Sequence, residues 1–414
     1  MKEKNTEDRK TSRVAWDSLE SWARLEIQEW IQDLLVAEVT EVLGRGKSER
    51  RKPVDTKAGY RNGYGKPRNL TMSIGTVTVR RPRVRDIEER FESRVLPLFK
   101  RRTETVSELI PELYLHGLAH GDFDLALRGL LGEKAPLSAS TVSRLKEKWQ
   151  GEYEEWLARP LDELEVVYLW VDGIYVKAGL EKDKAAVLVA VAGLSDGTKI
   201  VLTLEAGHRE SEASWSSLLR KLKKRGMMCP RLVIGDGHLG IWAAIRNVFP
   251  EAKEQRCWNH RILNVLDRIP RKCQSQAKQL LTAIPYAENL NECVKLKARF
   301  QEWCTRKNLA EAARVLDEDW ERMVSFFSFP KPHWRHLRTS NVVESPFAAL
   351  RLRTDAAKRF KKVETATAAI FKLLLVAEKN FRRLNAPELV REVYLGVRFE
   401  NGERTIETSR DAAA

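Results

Sequence analysis

The sequence predicts an α/β protein: a mixed sheet interrupted by an all-α insertion and preceded by a mainly helical region carrying a basic β-hairpin. Three observations predict it. Apolar runs of strand length alternate with helical spacing between residues 166 and 257, the spacing turns purely helical through 261–334, and positive charge is concentrated ahead of both. The 414 residues suffice for about two to three domains. A hydrophobic share of 43% excludes a mainly disordered chain, and 12 Trp supply packing anchors.

Charge decides the class of partner. Lys and Arg number 73 against 58 acids, a net +15, and such a surplus draws polyanions, nucleic acid before membrane. Five scattered Cys form no disulfide framework and fit a reducing cytosol. The first twenty residues lack the apolar core of a signal peptide, and no run reaches the ~18 apolar residues of a membrane span. Secreted, collagenous and transmembrane proteins are not expected; a cytoplasmic one is.

The elements follow in order. Residues 15–43 place Leu19, Trp22, Ile27, Trp30, Ile31, Leu34 and Leu35 at helical spacing, an amphipathic helix for packing or dimerisation. Residues 45–85 then hold 13 Lys/Arg against Glu49 and Asp55, with Gly and Pro too frequent for one helix. Within them Leu70–Ile74, Gly75-Thr76 and Val77–Val79 read as a hairpin turning at the glycine. Tyr60, Arg61 and Tyr64, then Arg80, Arg81, Arg83 and Arg85, mix aromatics with cations as stacking and phosphate contact require. A solvated basic loop is the plainer alternative, and the concentration of charge favours DNA. Helices are expected at 105–118 and 122–131 and from Ser138, where Ser140, Ser143 and Arg144 open a helix as in a helix-turn-helix. An ordinary three-helix unit fits this stretch equally.

From residue 165 the pattern is strand (Val166–Val171), strand (Ala185–Val191), strand (Lys199–Leu204), helix (Ser211–Lys224), strand (Arg231–Gly235), helix (Leu239–Val248), strand (Ala252–Cys257). That is the order of an RNase H-like sheet. Asp172 and Asp236 each end an apolar strand, where a carboxylate is costly unless hydrogen-bonded or metal-bound. Gly173 and Gly237 follow them and let the backbone turn sharply away. Two such acids on neighbouring strands suit Mg²⁺, although either alone reads as a turn former. After the helical insertion, with expected helices at 278–284, 289–306 and 310–327, a helix from Arg338 to Arg353 puts Glu344 and Arg351 on one face, a carboxylate for metal and a cation for phosphate.

These residues fall into a known pattern. Tyr60–Tyr64, Trp156–Leu161, Asp172–Lys177, Glu210-Ser211 with Trp215, Lys224–Gly226, Asp236–Gly240, Phe249-Pro250 through Gln255–His260, Asn264–Leu266 and Arg338–Ser345 occur in order. In these the chain resembles the Mutator-like transposases of bacterial insertion sequences, over nearly its whole length. It departs at Gly121–Asp124, where Gly-x-Ser-Thr-Arg is expected.

The resemblance implies a DDE-type transposase. Its catalytic and metal-binding acids fall on Asp172, Asp236 and Glu344, its Cys-x-x-His element on Cys257 and His260, and its following basic residue on Arg351. It implies two Mg²⁺ ions (Mn²⁺ as substitute), in-line attack by water and then by a freed 3′-OH, and copying out through a circular intermediate. The partners implied are double-stranded DNA, as terminal inverted repeats and target, and a second copy in a homodimer on that DNA at the nucleoid. The expected division is an N-terminal helix (1–44), arm and hairpin (45–104), helix-turn-helix-like region (105–160), core (161–262), insertion (263–337), core with the Glu helix (338–396) and tail (397–414).

Secondary roles remain open at this level. His238 orients Asp236 or caps the next helix; Cys257 and His260 pack beside the second Asp or form half a zinc site with His333 and His336; Trp303 and Trp320 are expected in the core. A structure-selective nuclease would share the acids without needing the basic half, and a DNA-binding regulator would keep the basic half without needing three acids.

Overall fold

A computed structural model of the chain describes residues 18–51, 57–115, 122–131, 139–178, 185–207, 210–237, 239–356, 360 and 362–405. Two compact units divide it, Met1–Leu145 and Lys146–Ala414. No helix among the described residues is long and apolar enough to cross a membrane.

In the first unit α1 (Leu19–Leu43) ends at Gly44, whose left-handed φ of 65° stops the helix. The hairpin pairs β1 (Tyr60–Met72) with β2 (Gly75–Arg85) and is longer at both ends than expected. Its turn is Ser73-Ile74, with Met72 opposite Gly75, not Gly75-Thr76. Gly75 has φ 119° and lies under Arg24: a Cβ there would come 2.7 Å from Nε, which donates to the Ile74 carbonyl at 3.0 Å. Ile31 and Leu35 of α1 meet Val77, Val79 and Leu96 in a small core. The same helix covers the edge of β2. The Gln28 amide oxygen accepts from Thr78 N–H, and Gln32 both accepts from Arg80 N–H and donates to its carbonyl. Only one face of α1 meets the hairpin, so Leu19, Trp22 and Trp30 of the expected stripe remain exposed. Then come α2 (Glu104–Leu115), α3 (Asp122–Leu131) and α4 (Ala139–Ala158), which runs on into the second unit. Ser138 and the two connections between these helices lie outside the described residues.

The second unit is mixed α/β. Its elements are β3 (Val166–Val176), β4 (Ala185–Leu194), β5 (Lys199–Gly207), α5 (Glu212–Lys224), β6 (Leu232–Gly235), α6 (Leu239–Val248) and β7 (Lys253–Arg256). The five strands lie in the order β5-β4-β3-β6-β7; the first three are antiparallel, and β6 and β7 run parallel to β3. Alternation along β3 separates two faces. Leu169 and Val171 join the core with Trp215 of α5 and Trp242 of α6. Between them, Tyr168 bonds through its hydroxyl to His333 Nδ1 (2.8 Å), and Trp170 Nε1 donates to the His336 carbonyl (3.0 Å).

After the sheet come α7 (Trp258–Leu266), α8 (Arg271–Ala283), α9 (Leu290–Arg306), α10 (Ala310–Asp317) and α11 (Trp320–Val324). The helix expected over 310–327 is broken by Asp319, which is left-handed (φ 57°) and receives Arg256 and Arg261 on its carboxylate at 2.6 and 3.3 Å. Trp303 is buried and stacks on Phe300, as expected of a core residue, whereas Trp320 meets Trp258 edge-on but is only half-buried.

The return path carries α12 (Trp334–Leu337), α13 (Asn341–Glu344), α14 (Phe347–Ala356), α15 (Val363–Glu378), α16 (Pro387–Tyr394) and the small pair β8 (Phe399–Glu400) and β9 (Glu403–Arg404). The helix expected from 338 to 353 is thus two helices. Pro346 between them has no N–H to donate and its ring opposes a continuous turn, so Glu344 and Arg351 do not share one helical face.

Candidate active site

Asp172 does not end its strand. β3 continues to Val176, pairing Asp172 with Val189 of β4, while its pairing with β6 stops at Trp170 opposite Ile234. Continuing that parallel register sets Asp172 level with Asp236, one residue past the end of β6. Two acids 64 positions apart in the chain (172 and 236) therefore meet in the middle of the sheet, at the C-terminal end of β6.

A third carboxylate joins them. Oxygens of Asp172, Asp236 and Glu210 lie within 4.8 Å of one another. Glu210 sits between β5 and α5, beside the N-cap Ser211. β5 is antiparallel to β4 and so runs in the direction of β3, which brings its exit to the same end of the sheet. The sequence offered that clue, strand direction, but the approach of Glu210 to β3 needed the folded chain.

Gly173 serves Glu210 more than it serves a turn. A Cβ at Gly173 would lie 2.3 Å from Glu210 Oε1, so the bare backbone there admits the glutamate. Gly237 does turn, at φ 104°, and Arg256 lies against it where a Cβ would be 2.2 Å from Nε. Burial above all pushes the Asp172 carboxyl up to about 7; Asp236, Glu344 and Glu210 add to this, and the Gly173 N–H at 2.8 Å opposes it.

Glu344 stands in a second cluster, within 4.8 Å of Cys257 and His260 in its ligand atoms, yet close enough for its charge to raise Asp172. The Cys-x-x-His element fastens this segment to the sheet. Cys257 N–H donates to Gly235, next to Asp236, and its buried sulfur accepts from Ser340 N–H at 3.3 Å. Trp258 N–H donates to Arg338, and the Asn259 amide to Asn341 at 3.0 Å. Ser340 hydroxyl donates to Glu344, and His260 Nδ1 is 3.8 Å from its carboxylate. Contact with Cys257 chiefly, then the charges of Glu344 and Asp236, raise His260 to about 9 against the effect of burial. No zinc site forms with the other histidine pair: both nitrogens of His333 are engaged, by Tyr168 and Ala386, and His336 bonds Asn385.

The remaining site residues fall as follows. His238 lies outside the described residues, as do the side chains of Ser140 and Ser143. Arg351 and Arg144 are exposed. In the hairpin Tyr60, Tyr64, Arg80, Arg83 and Arg85 are exposed, whereas Arg61 bonds Thr40 and the Arg45 carbonyl and Arg81 bonds the Phe91 carbonyl. Cations crowd this unit: after burial, Arg101 and Arg81 lower Arg68, and Arg144 lowers Arg102.

Comparison with known proteins places these residues in context. The family described as "Transposase, Mutator family" matches residues 2–383. The chain is 42% identical over 306 residues to the transposase for insertion sequence element IS6120 of Mycolicibacterium smegmatis, covering 74% of this chain and 94% of that protein. It is 36% identical to the transposase for element IST2 of Acidithiobacillus ferrooxidans (67% and 94% covered) and 30% identical to that for ISRM5 of Rhizobium meliloti (86% and 87%).

Proposed function

The chain belongs to the Mutator family of transposases, and from that premise we propose a DDE-type enzyme with an RNase H-like core and catalytic acids Asp172, Asp236 and Glu344. In this reading it binds the terminal inverted repeats of an insertion sequence, as a homodimer on double-stranded DNA, and cleaves and joins strands with Mg²⁺. The observation that carries the reading is the meeting of Asp172 and Asp236 on neighbouring strands, with Glu344 near enough to raise the first. A regulator that only binds DNA has no need of that convergence.

The donor set fits a hard divalent cation. Asp172 and Asp236, with Glu210, present carboxylate oxygens within 4.8 Å of one another, partly buried, whose repulsion a bound cation relieves, and Glu344 adds its charge from the neighbouring Cys257–His260 cluster. Asp172, Asp236 and Glu344 would hold Mg²⁺, or Mn²⁺ in its place; the metal, when bound, supplies charge neutralisation at the phosphate and a more acidic water. The chain's own residues do the rest. Gly173 N–H orients Asp172, Ser340 orients Glu344, and the Cys257–His260 element keeps the Glu344 segment against the end of β6. Exposed Arg80, Arg83 and Arg85 grip phosphates without reading sequence, and α3 with α4 and Arg144 supplies a helix-turn-helix contact. Residues 45–160 thus serve DNA contact, 161–262 and 338–396 the chemistry, and 263–337 form the insertion.

The test separates binding from chemistry. Asp172→Asn and Glu344→Gln should bind element-end DNA with near-normal affinity yet fail to nick or join it, and chelation of Mg²⁺ should mimic both. Cutting at the wild-type rate by either variant would overturn the assignment.

A further inference from the structure

We propose that Glu210 is a metal ligand of this site, making with Asp172 and Asp236 a pocket of three carboxylates, with Glu344 in the neighbouring cluster. The inference rests on the catalytic reading of the site proposed for this chain. It starts from the 4.8 Å spacing of the three groups, which suits oxygens converging on one hard cation.

Independent features build Glu210 into place. β3 forgoes a side chain at residue 173, where any Cβ would fall 2.3 Å from Glu210 Oε1 and 2.6 Å from Cδ. Only glycine leaves that cradle open. The first turn of α6 seats against the backbone leading from Glu210: a Cβ on Gly240 would lie 2.5 Å from Glu212 N and 3.2 Å from the Glu210 carbonyl oxygen. Tyr175, two residues beyond Gly173 on β3, hydrogen-bonds the Glu210 side chain from the strand itself. A surface glutamate needs none of these, and one whose whole role is to bond Tyr175 has no reason to approach two like charges. The approach is explained when a cation lies among the three, since each carboxylate then contributes an oxygen and the repulsion becomes attraction.

The test uses the full chain without DNA and Mn²⁺ as the probe. Calorimetric titration of Glu210→Gln should show Mn²⁺ affinity lowered at least roughly tenfold, the lower end of what loss of even an outer partner of a metal ligand costs. Glu210→Asp should recover part of it. The rise in melting temperature on adding Mn²⁺ should shrink in Glu210→Gln, while its melting temperature in chelator stays level or rises, because one repelling charge is gone. Wild-type Mn²⁺ affinity in Glu210→Gln, with Asp172→Asn measured in parallel and deficient, would overturn the role of Glu210 and leave the Asp172 site standing. A lower melting temperature in chelator with unchanged Mn²⁺ affinity would assign Glu210 a structural role and refute the proposal. If Asp172→Asn also binds Mn²⁺ as the wild type does, the underlying site falls and this inference with it.

Discussion

Asp172→Asn should make the metal-free protein more stable, and by a large margin above neutral pH. The Asp172 carboxyl ordinarily titrates near 3.8 and is pushed to about 7 in the fold, chiefly by burial and then by Asp236, Glu344 and Glu210. At ~1.4 kcal/mol per pH unit, holding it ionised at pH 8 costs the fold on the order of 4 kcal/mol. Relaxation of neighbouring groups reduces this, so a gain of roughly 2–4 kcal/mol is expected for the uncharged amide of the same shape. The sign follows from the direction of the shift. A carboxyl raised on folding favours the native state fully below its unfolded value, and that contribution is lost as pH rises through about 7. The variant's advantage should therefore be near zero at pH 4, grow towards pH 7 and level off above it. Urea unfolding of the wild type and variant in chelator, at several pH values, measures this directly. Added Mg²⁺ should then stabilise the wild type and leave the variant almost unmoved. An advantage independent of pH, or a variant less stable than wild type at pH 8, would refute the account of Asp172 as a crowded carboxylate awaiting a cation.

Two further outcomes can be measured. Replacing Arg80, Arg83 and Arg85 with Ala should weaken DNA binding on every sequence and flatten the log–log salt dependence by about 0.9 for each phosphate no longer neutralised; an unchanged slope would remove the hairpin from the DNA interface. Burial, with the charges of Lys199, Arg335 and His333, lowers His336 to about 4 despite its bond to Asn385, so its contribution to stability is present above pH 6.5 and lost as pH falls through about 4. Its imidazole should titrate by NMR near pH 4, and His336→Gln should unfold less steeply than wild type on acidification; a midpoint near 6.5 would contradict the burial of this ring.

Local periodicity and composition encode most of the strands and helices. Continuous apolar runs at Val166–Val171, Ala185–Val191 and Lys199–Leu204 identified strands because runs of that length suit strands covered on both faces, and Trp215 lies in the expected helix with Ser211 as its cap. The family followed from ordered motifs, Asp172, Asp236 and the Cys257–His260 element among them. Ends of elements were less legible. β3 outruns its apolar stretch because β4 still pairs with it beyond Val171, and the hairpin turns two residues early, at Ser73-Ile74, where Met72 pairs with Gly75 and Arg24, fifty positions from Ile74, donates to the Ile74 carbonyl. Pro346 was visible, yet its effect on Glu344 and Arg351 depends on where the chain must bend to stay against the sheet.

The composition of the acidic site, by contrast, comes from the packing of distant segments. Glu210 lies one loop beyond β5, two strands from β3, and although Glu210-Ser211 is one of the ordered motifs, nothing local assigns the glutamate to the acidic site. Its place depends on an absent side chain at Gly173 and on the strand order β5-β4-β3, both of which are relations between distant segments. Cys257, likewise, is a buried sulfur whose importance lies in the backbone of Ser340, 83 positions on. Local sequence fixes which groups can carry charge and which segments become strands or helices; the approach of three carboxylates is a property of sheet order and loop path, because Coulomb forces act on distances that only the folded chain possesses.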